Sequence, residues 1–407
     1  MNEDIKLING SITSPIGFLA SGVACGLKKN GNADLAIVSS TNMANACGVF
    51  TKNVVKGHSL KRTMRVLKNG KAKAVVINSG NANACVGNQG DKDADTMADL
   101  TSGLLSCHPD EVLTGSTGVI GLLLPMDKVR SGIADAVSKL DSSEESGHLA
   151  EIAIMTTDTV AKEFTIEIHI GGRPVTISGM AKGSGMIHPD MATMISVITT
   201  DCDIEHSMLQ KALSMVTEKT FNRVSVDGDT SVCDMVVILA NGQAENRTIS
   251  DLFSNEFFLF TDALEYGCRK LSKDIAGDGE GATKLLEILV KNALTKEDAV
   301  KIINSVAKSP LVKTAMFGQD ANWGRILTAV GYSGANFNPD HCNIFIGDLQ
   351  VCANGNALPF DESIAKSILS QKEIHITIDL CDGDVDDHIW TCDFSYDYVK
   401  INGSYRS

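Results

Sequence analysis

A chain of 407 residues with 43% hydrophobic composition is long enough to bury a large core in two or three structural units. Its 36 Lys and Arg stand against 50 Asp and Glu, and the net charge of −14 argues against nucleic acid or an anionic membrane as partner. A small acidic substrate stays open, because one local lysine or a helix N-terminus can supply the positive end. The eleven cysteines form no CxxC pair, and Cys47, Cys85 and Cys202 sit among small or apolar residues. They read as reduced, mostly buried thiols. The start MNEDIKLING has neither a signal peptide's apolar run nor a transit peptide's character, and no stretch is apolar enough to span a membrane. A soluble, cytoplasmic protein is expected.

In chain order, AKAVVINSG (72–80) is a buried-strand pattern that ends in the polar glycine loop NSGNANACVGNQG. A helix is expected from Asp91 to about Cys107. EVLTGSTGVIG (111–121) is a strand breaking into a Ser/Thr/Gly loop, and Pro125 opens the helix PMDKVRSGIADAVSKL. FTIEIHIGGRPVTISGM (164–180) alternates about Gly171–Gly172 as a hairpin. ISVITTDC reads as a strand, HSMLQKALSMVTEKTF as an amphipathic helix and MVVILANG (235–242) as a buried strand. A long helical region then runs to AGDGEGATK, followed by the strand LLEILVK and the helix TKEDAVKIINSVAKS with Thr295 as N-cap. The C-terminal part, NIFIGDLQVCANG, EIHITIDL and HIWTCDFSYDYVKING, reads as strands. The pattern as a whole is α/β, with candidate chemistry in loops at strand ends.

Standard motifs fail. There is no HExxH, Walker A lysine or GxSxG. Gly277, Gly279 and Ala282 imitate a dinucleotide fingerprint, but after a helix and before a strand, which is the wrong context. The acidic run DGDVDDH (382–388) lacks calcium-loop spacing and reads as a solvated hairpin turn, Asp386 and His388 included. The other histidines form no ligand-spaced set, so no metal is expected. Ser305 and Lys308 match SxxK, inside an ordinary amphipathic helix. STGVIG (116–121) delivers two hydroxyls and Gly118 from a strand, which suits an oxyanion as well as it suits a simple turn.

KGSGMIHPDMATM (182–194) places Thr193 among small and apolar residues with no neighbouring base. A threonine hydroxyl needs one to act as nucleophile. Were the Ala192–Thr193 bond broken, the new α-amine of Thr193, with a pKa near about 7.7–8.0, would be that base. These residues alone leave both a plain strand residue and a self-made nucleophile open.

Taken together, GVFTKNVVK, VVINSGNANAC, STGVIG with LPMDK, IMTTDT, KGSGMIHPDMATM, FNRVSVDGDTS, GDGEGATK, NWGRILTAVGYSG and SYDYVKINGSYRS resemble the ornithine acetyltransferase family of arginine biosynthesis, over almost the whole chain. The resemblance implies layered sheets flanked by helices, the fold shared with self-cleaving aminopeptidases. It implies cleavage at Ala192–Thr193 into an α chain 1–192 and a β chain 193–407, associating as a heterotetramer of two of each. Thr193 would take acetyl from N-acetylornithine, release ornithine and pass acetyl to glutamate. No bound cofactor is implied, and acetyl-CoA is a possible further donor. By motif, Thr117 and Gly118 form the oxyanion hole, while Thr156, Lys182, Thr193, Glu280, Asn402 and Ser407 bind substrate. Lys182 suits a carboxylate and Glu280 an ammonium group. Two departures stand out. Asp190 follows Pro189 where the family usually has Asn, and DGDTSVCD replaces DGDTSTND, which puts Val232 and Cys233 at polar positions. The rivals are an amidase or aminopeptidase on the same machinery and an unprocessed, non-catalytic binding module.

Overall fold

Long apolar runs in the N-terminal half put alternate residues of the same strands into two cores, which is how a sheet covered on both faces reads in sequence. The computed structural model describes residues 4–188 and 194–404, and these divide into two units. The first comprises 4–183, 194–222 and Thr230–Leu271; the second comprises 184–188, Arg223–Asp229 and 272–404.

The first unit contains β1 (Lys6–Leu7), β2 (Phe18–Val23), β3 (Leu35–Phe50), α1 (His58–Val66), β4 (Lys71–Asn81), α2 (Asn88–Leu105), β5 (Val112–Val119), α3 (Met126–Ser138) and α4 (Glu144–Ile154). It continues with β6 (Glu163–Ile170), β7 (Arg173–Lys182), β8 (Ile195–Thr200), α5 (His206–Lys219), β9 (Met235–Ala240) and α6 (Asn255–Gly277) up to Leu271. Its strands form one sheet in the order β1-β6-β7-β8-β9-β3-β4-β5, with β2 paired to β3. Leu35, Ile37, Ala74 and Val76 face Met97, Ala98, Val129 and Ile133 of α2 and α3. Their neighbours Ala36, Val38, Val75 and Ile77 face the opposite core with Ala150, Ala153 and Ile154 of α4. The unit is helix, sheet and helix in layers. The expected hairpin is β6–β7, and Gly171 and Gly172, at φ 59° and 79°, make the two-residue turn that such a hairpin needs.

The second unit contains β10 (Leu285–Ala293), α7 (Lys296–Lys308), α8 (Pro310–Phe317), α9 (Trp323–Gly331), β11 (Asn343–Ile346), β12 (Leu349–Ala353), β13 (Asn356–Ala357), α10 (Glu362–Leu369), β14 (Glu373–Asp379), β15 (Val385–Cys392) and α11 (Tyr396–Gly403). The sheet order is β13-β12-β11-β14-β10-β15 around one apolar core. Thr295 caps α7 as expected, its side chain accepting from the Asp298 N–H. Among the described residues no helix is long and apolar enough to cross a membrane.

Four expectations are corrected. DGDVDDH is not a hairpin turn, because β14 and β15 both pair with β10 and lie on opposite sides of it. The segment passes over the end of β10, where a Cβ on Gly383 would lie 2.3 Å from the Ala293 carbonyl oxygen. The tail SYDYVKING is not a strand but α11, started by Ser395, whose hydroxyl accepts from the Asp397 N–H. β5 runs on through the STG triplet, because β4 continues beside it in parallel. Cys85 is exposed, at φ 60°, whereas Cys47 and Cys202 are buried.

Phe164 of β6 is wedged between two glycines. A Cβ on Gly179 or Gly267 would lie 2.4 or 2.3 Å from its ring. Gly267→Ala gains about 1 kcal/mol of helix propensity but overpacks this contact, at a cost of about 1–3 kcal/mol. Its thermal midpoint should fall, and Phe164→Leu in the same chain should recover it.

Candidate active site

The asparagines of NSGNAN build a scaffold. Asn78 Oδ1 accepts from the Ser116 hydroxyl at 2.6 Å, and Asn78 Nδ2 donates to the Asn81 carbonyl at 2.9 Å. Asn81 Oδ1 accepts from the Asn83 N–H at 2.8 Å, and its Nδ2 reaches the Leu122 and Leu123 carbonyls. This network fixes the end of β4 against the end of β5, where Thr117 is 1% exposed. The ladder shifts register at Gly80–Asn81, opposite Gly118. Gly118 has φ 132°, and a Cβ there would lie 2.4 Å from the Gly80 carbonyl carbon, so only glycine fits. The predicted oxyanion pair is thus held by close backbone approach.

β7 ends at Lys182, which pairs with Ile195 of β8, two residues along the chain from Thr193. Lys182 is 1% exposed. Beside it lies Asp158, whose side chain is fully buried together with that of Lys162. Asp158 Oδ1 accepts from Lys162 Nζ at 2.8 Å and from the Gly183 N–H at 2.6 Å. Its Oδ2 accepts from the Thr156 N–H at 2.9 Å. The carboxylate of Asp158, which the sequence motifs did not single out, therefore ties Thr156 to Gly183, the residue after Lys182.

The charges respond to burial. Burial pushes the Asp158 carboxyl up, yet the Lys182 and Lys162 charges and its hydrogen bonds outweigh this and hold it well below the usual range. Burial lowers the Lys182 ammonium, and Asp158 resists the shift. Glu151, fully buried with Oε1 accepting from the Lys162 N–H at 2.8 Å, is raised by burial to about 8. Asp234 is also buried and raised well above its ordinary value, chiefly by burial. Its Oδ1 accepts from the Met194 N–H at 3.2 Å, and the Met235 N–H donates to the Met194 carbonyl. Met194, next in sequence to Thr193, is thus tied to the start of β9.

In the second unit, Asn402 of α11 donates to Glu280 Oε2 at 2.8 Å, so two further predicted residues meet. Asp393 shapes the loop that bears Glu280 by accepting from the Thr283 and Lys284 N–H groups at 2.7 and 2.9 Å. Gly281, at φ 71°, gives way to α11, since a Cβ there would lie 2.4 Å from Tyr398 N. Ala192, Thr193 and Ser407, and with them Asp190, lie outside the described residues. Three acids of DGDVDDH are engaged within the protein, Asp386 accepting from the Asn292 N–H at 3.0 Å. Asp387 pairs with Arg223 at 2.9 Å and Asp382 accepts from His341 at 2.8 Å. Glu287, Glu373 and His375 cluster elsewhere in this unit, with Lys273 Nζ set among the carboxylates.

With these residues in place, likeness to known proteins can be weighed. A family profile described as the ArgJ family matches residues 19–407. The chain is 49% identical over 407 residues to the arginine biosynthesis bifunctional protein ArgJ of Caldanaerobacter subterraneus, covering 99% of this chain and 100% of that protein. It is 45% identical over 409 residues to the Bacillus subtilis protein of that name, covering 100% of this chain and 99% of that one. A crystal structure of the Bacillus halodurans ArgJ protein is 43% identical, covers 51% of this chain and 97% of its own, and gives a TM-score of 0.49. The fold and the buried polar strand ends are those of an α/β enzyme. The chain belongs to the ArgJ family, as its motifs led one to expect.

The raised carboxyl of Glu151 has a stability consequence. Its folded value, about 8, lies above the ordinary 4.5, so folding takes up a proton between those two pH values. Stability is therefore lost as pH rises through that window, by something of the order of 4 kcal/mol. Glu151→Gln keeps an acceptor for the Lys162 N–H and cannot ionise. Thermal midpoints at pH 5 and pH 8 should differ far less in Glu151→Gln than in the wild type.

Proposed function

We propose that this chain is a self-processing acetyltransferase that moves acetyl from N-acetylornithine to glutamate through an acetyl-threonine formed on Thr193. The observation that carries the reading is the register of β7 on β8, which sets the buried Lys182 opposite Ile195, next but one to Thr193 in sequence. The full-length likeness to proteins named for arginine biosynthesis supports it.

In this reading Thr193 attacks the Ala192 carbonyl carbon and its hydroxyl proton passes to the departing nitrogen, giving an ester that water resolves. The chain then consists of an α part, 1–192, and a β part, 193–407, which we assign to a cytoplasmic heterotetramer of two α and two β chains. The freed α-amine of Thr193 takes the hydroxyl proton as oxygen attacks the acetyl carbonyl, and returns it to the amine of ornithine. Thr117 and Gly118 stabilise the oxyanion. Lys182 meets the substrate carboxylate, Thr156 lies beside it, and Glu280 with Asn402 receives the ammonium end; Ser407 belongs to the same set. Glutamate then attacks the acetyl ester through its amine. Acetyl-CoA is a further candidate donor in this reading, which requires no bound cofactor.

Intact mass and N-terminal sequencing of the purified protein should give two fragments, one beginning at Thr193, whereas Thr193→Ala should stay whole and transfer no acetyl. Omitting glutamate should leave at most one equivalent of ornithine released per site. Continued turnover without glutamate would make the protein an amidase, and an intact wild-type chain that is never acetylated would make it a binding module.

Replacing Glu280 by Gln removes the charge offered to the ammonium end while keeping an acceptor for Asn402. The KM for N-acetylornithine should rise about tenfold or more with a smaller effect on kcat, as steady-state kinetics would read.

A further inference from the structure

Among the described residues, Lys182 shares its surroundings with a second buried lysine, Lys162, and both lie beside the carboxylate of Asp158. Asp158 is held in its ionised form by these two lysines and by its hydrogen bonds. Asp234 and Cys233, which also face Lys182, are shifted by burial toward their neutral forms, as is Glu151 below about 8. The half-buried Lys28 adds a further positive charge. Its chain lies along Gly80, the partner of Gly118, with Nζ donating to the Ala33 carbonyl at 2.6 Å. No hydrogen bond joins Lys182 Nζ to another described residue, whereas Lys162 Nζ is bonded to Asp158 and to the Val160 carbonyl. A buried ammonium whose nearby carboxylate is hydrogen-bonded elsewhere is costly, and an incoming carboxylate would offset that cost.

We propose that Asp158 is the positioning residue of carboxylate recognition, its single carboxylate tying Thr156 to the Lys182–Gly183 strand end and leaving the Lys182 charge to be balanced by a carboxylate of the substrate. This rests on the acetyl-transfer reading above, in which Lys182 meets that carboxylate. The geometry is divided in a useful way. One oxygen of Asp158 serves Lys162 and Gly183, the other serves Thr156, and neither is bonded to Lys182 Nζ. Asp158 thus acts on Lys182 through its field and through the backbone of the next residue. Lys162 spends part of that field, so Asp158 and Lys162 act on Lys182 with opposite sign.

The test is the pH dependence of 1/KM for N-acetylornithine, measured in a Glu151→Gln background so that this group does not titrate in the same range. Binding needs charged Lys182, so 1/KM falls as pH rises through the titration of that lysine. Asp158→Asn should move this alkaline limb down by about one pH unit or more, and Asp158→Glu should bring it back. Lys162→Met removes the like charge and should move the limb up. If Asp158→Asn does not fold, Lys162→Met alone decides. A folded Asp158→Asn that loses kcat equally at all pH values with the limb unmoved would overturn the proposal, as would an unmoved limb in Lys162→Met. A parent protein that transfers no acetyl at any pH would instead remove the functional reading, and this inference with it. Transfer with unmoved limbs would remove the inference alone.

Discussion

The proposed chemistry depends on one strand being held from both sides. β8, Ile195–Thr200, is buried along its whole length, paired antiparallel to β7 and parallel to β9. Ile195 and Val197 sit in the core shared with Met235, Val237 and Leu239. Full burial of such side chains is worth about 1.5–3 kcal/mol each. A chain broken just ahead of β8 would keep both ladders and this packing, because none of it runs through the Ala192–Thr193 bond. The sheet holds Met194 in place through Asp234 and Met235 whether or not that bond is intact. A self-made N-terminus needs such a seat, since its amine acts as a base only while its hydroxyl stays aimed.

Charge separates the structural polar groups from those with work to do. Arg223 and Asp387 form a two-bonded pair in the second unit, Nε to Oδ1 and Nη2 to Oδ2, each at 2.9 Å. The two charges of that pair cancel and nothing further is needed. The Asp158 cluster is different, because two buried ammonium groups share one ionised carboxylate. Burial shifts Glu151 and Asp234 toward their neutral forms, which lessens the negative charge set against the two lysines. In the proposed reading, this arrangement costs the resting protein something and is offset when an anionic substrate arrives.

Much of this was legible beforehand, for reasons that are local. The β6–β7 hairpin follows from alternation around two glycines, and α7 from its threonine cap; neither depends on the rest of the molecule. Lys182, Thr117 and Gly118 were singled out as candidates because their motifs are contiguous. Asp158 and Glu151 were not, although both lie within eight residues of Thr156, because an acid near a helix end looks solvated until tertiary packing covers it. The DGDVDDH segment misled for a similar reason. Two strand patterns around a polar run suggest a hairpin, and only the insertion of β10 between them decides otherwise. The tail misled because Tyr, Val and Ile favour strands, while the Ser395 cap and the contact of Asn402 with Glu280 hold it as a helix.

The departure at Cys233 fits this picture. The family pattern has a polar residue there, and a thiol in a 6% exposed site would ordinarily be mere filling. Its Sγ nevertheless donates to the Ala82 carbonyl at 3.5 Å, and the preceding Val232 carbonyl accepts from the Gly57 N–H at 2.8 Å. The first bond joins the turn after β4, which carries the Asn81–Asn83 scaffold, to the residues just ahead of β9. The second ties those residues to the start of α1, whose His58 N–H donates to the Asn83 carbonyl at 2.9 Å. That turn supports the Gly118 end of β5, and the start of β9 supports Met194. Burial pushes the thiol upward and keeps it protonated, so it stays a donor to a carbonyl and adds no negative charge beside Asp234 and Lys182. A weak donor suffices here because the connection is made several times over. The cysteine therefore links the turn beside the Gly118 end of β5 to the start of β9 through its sulfur.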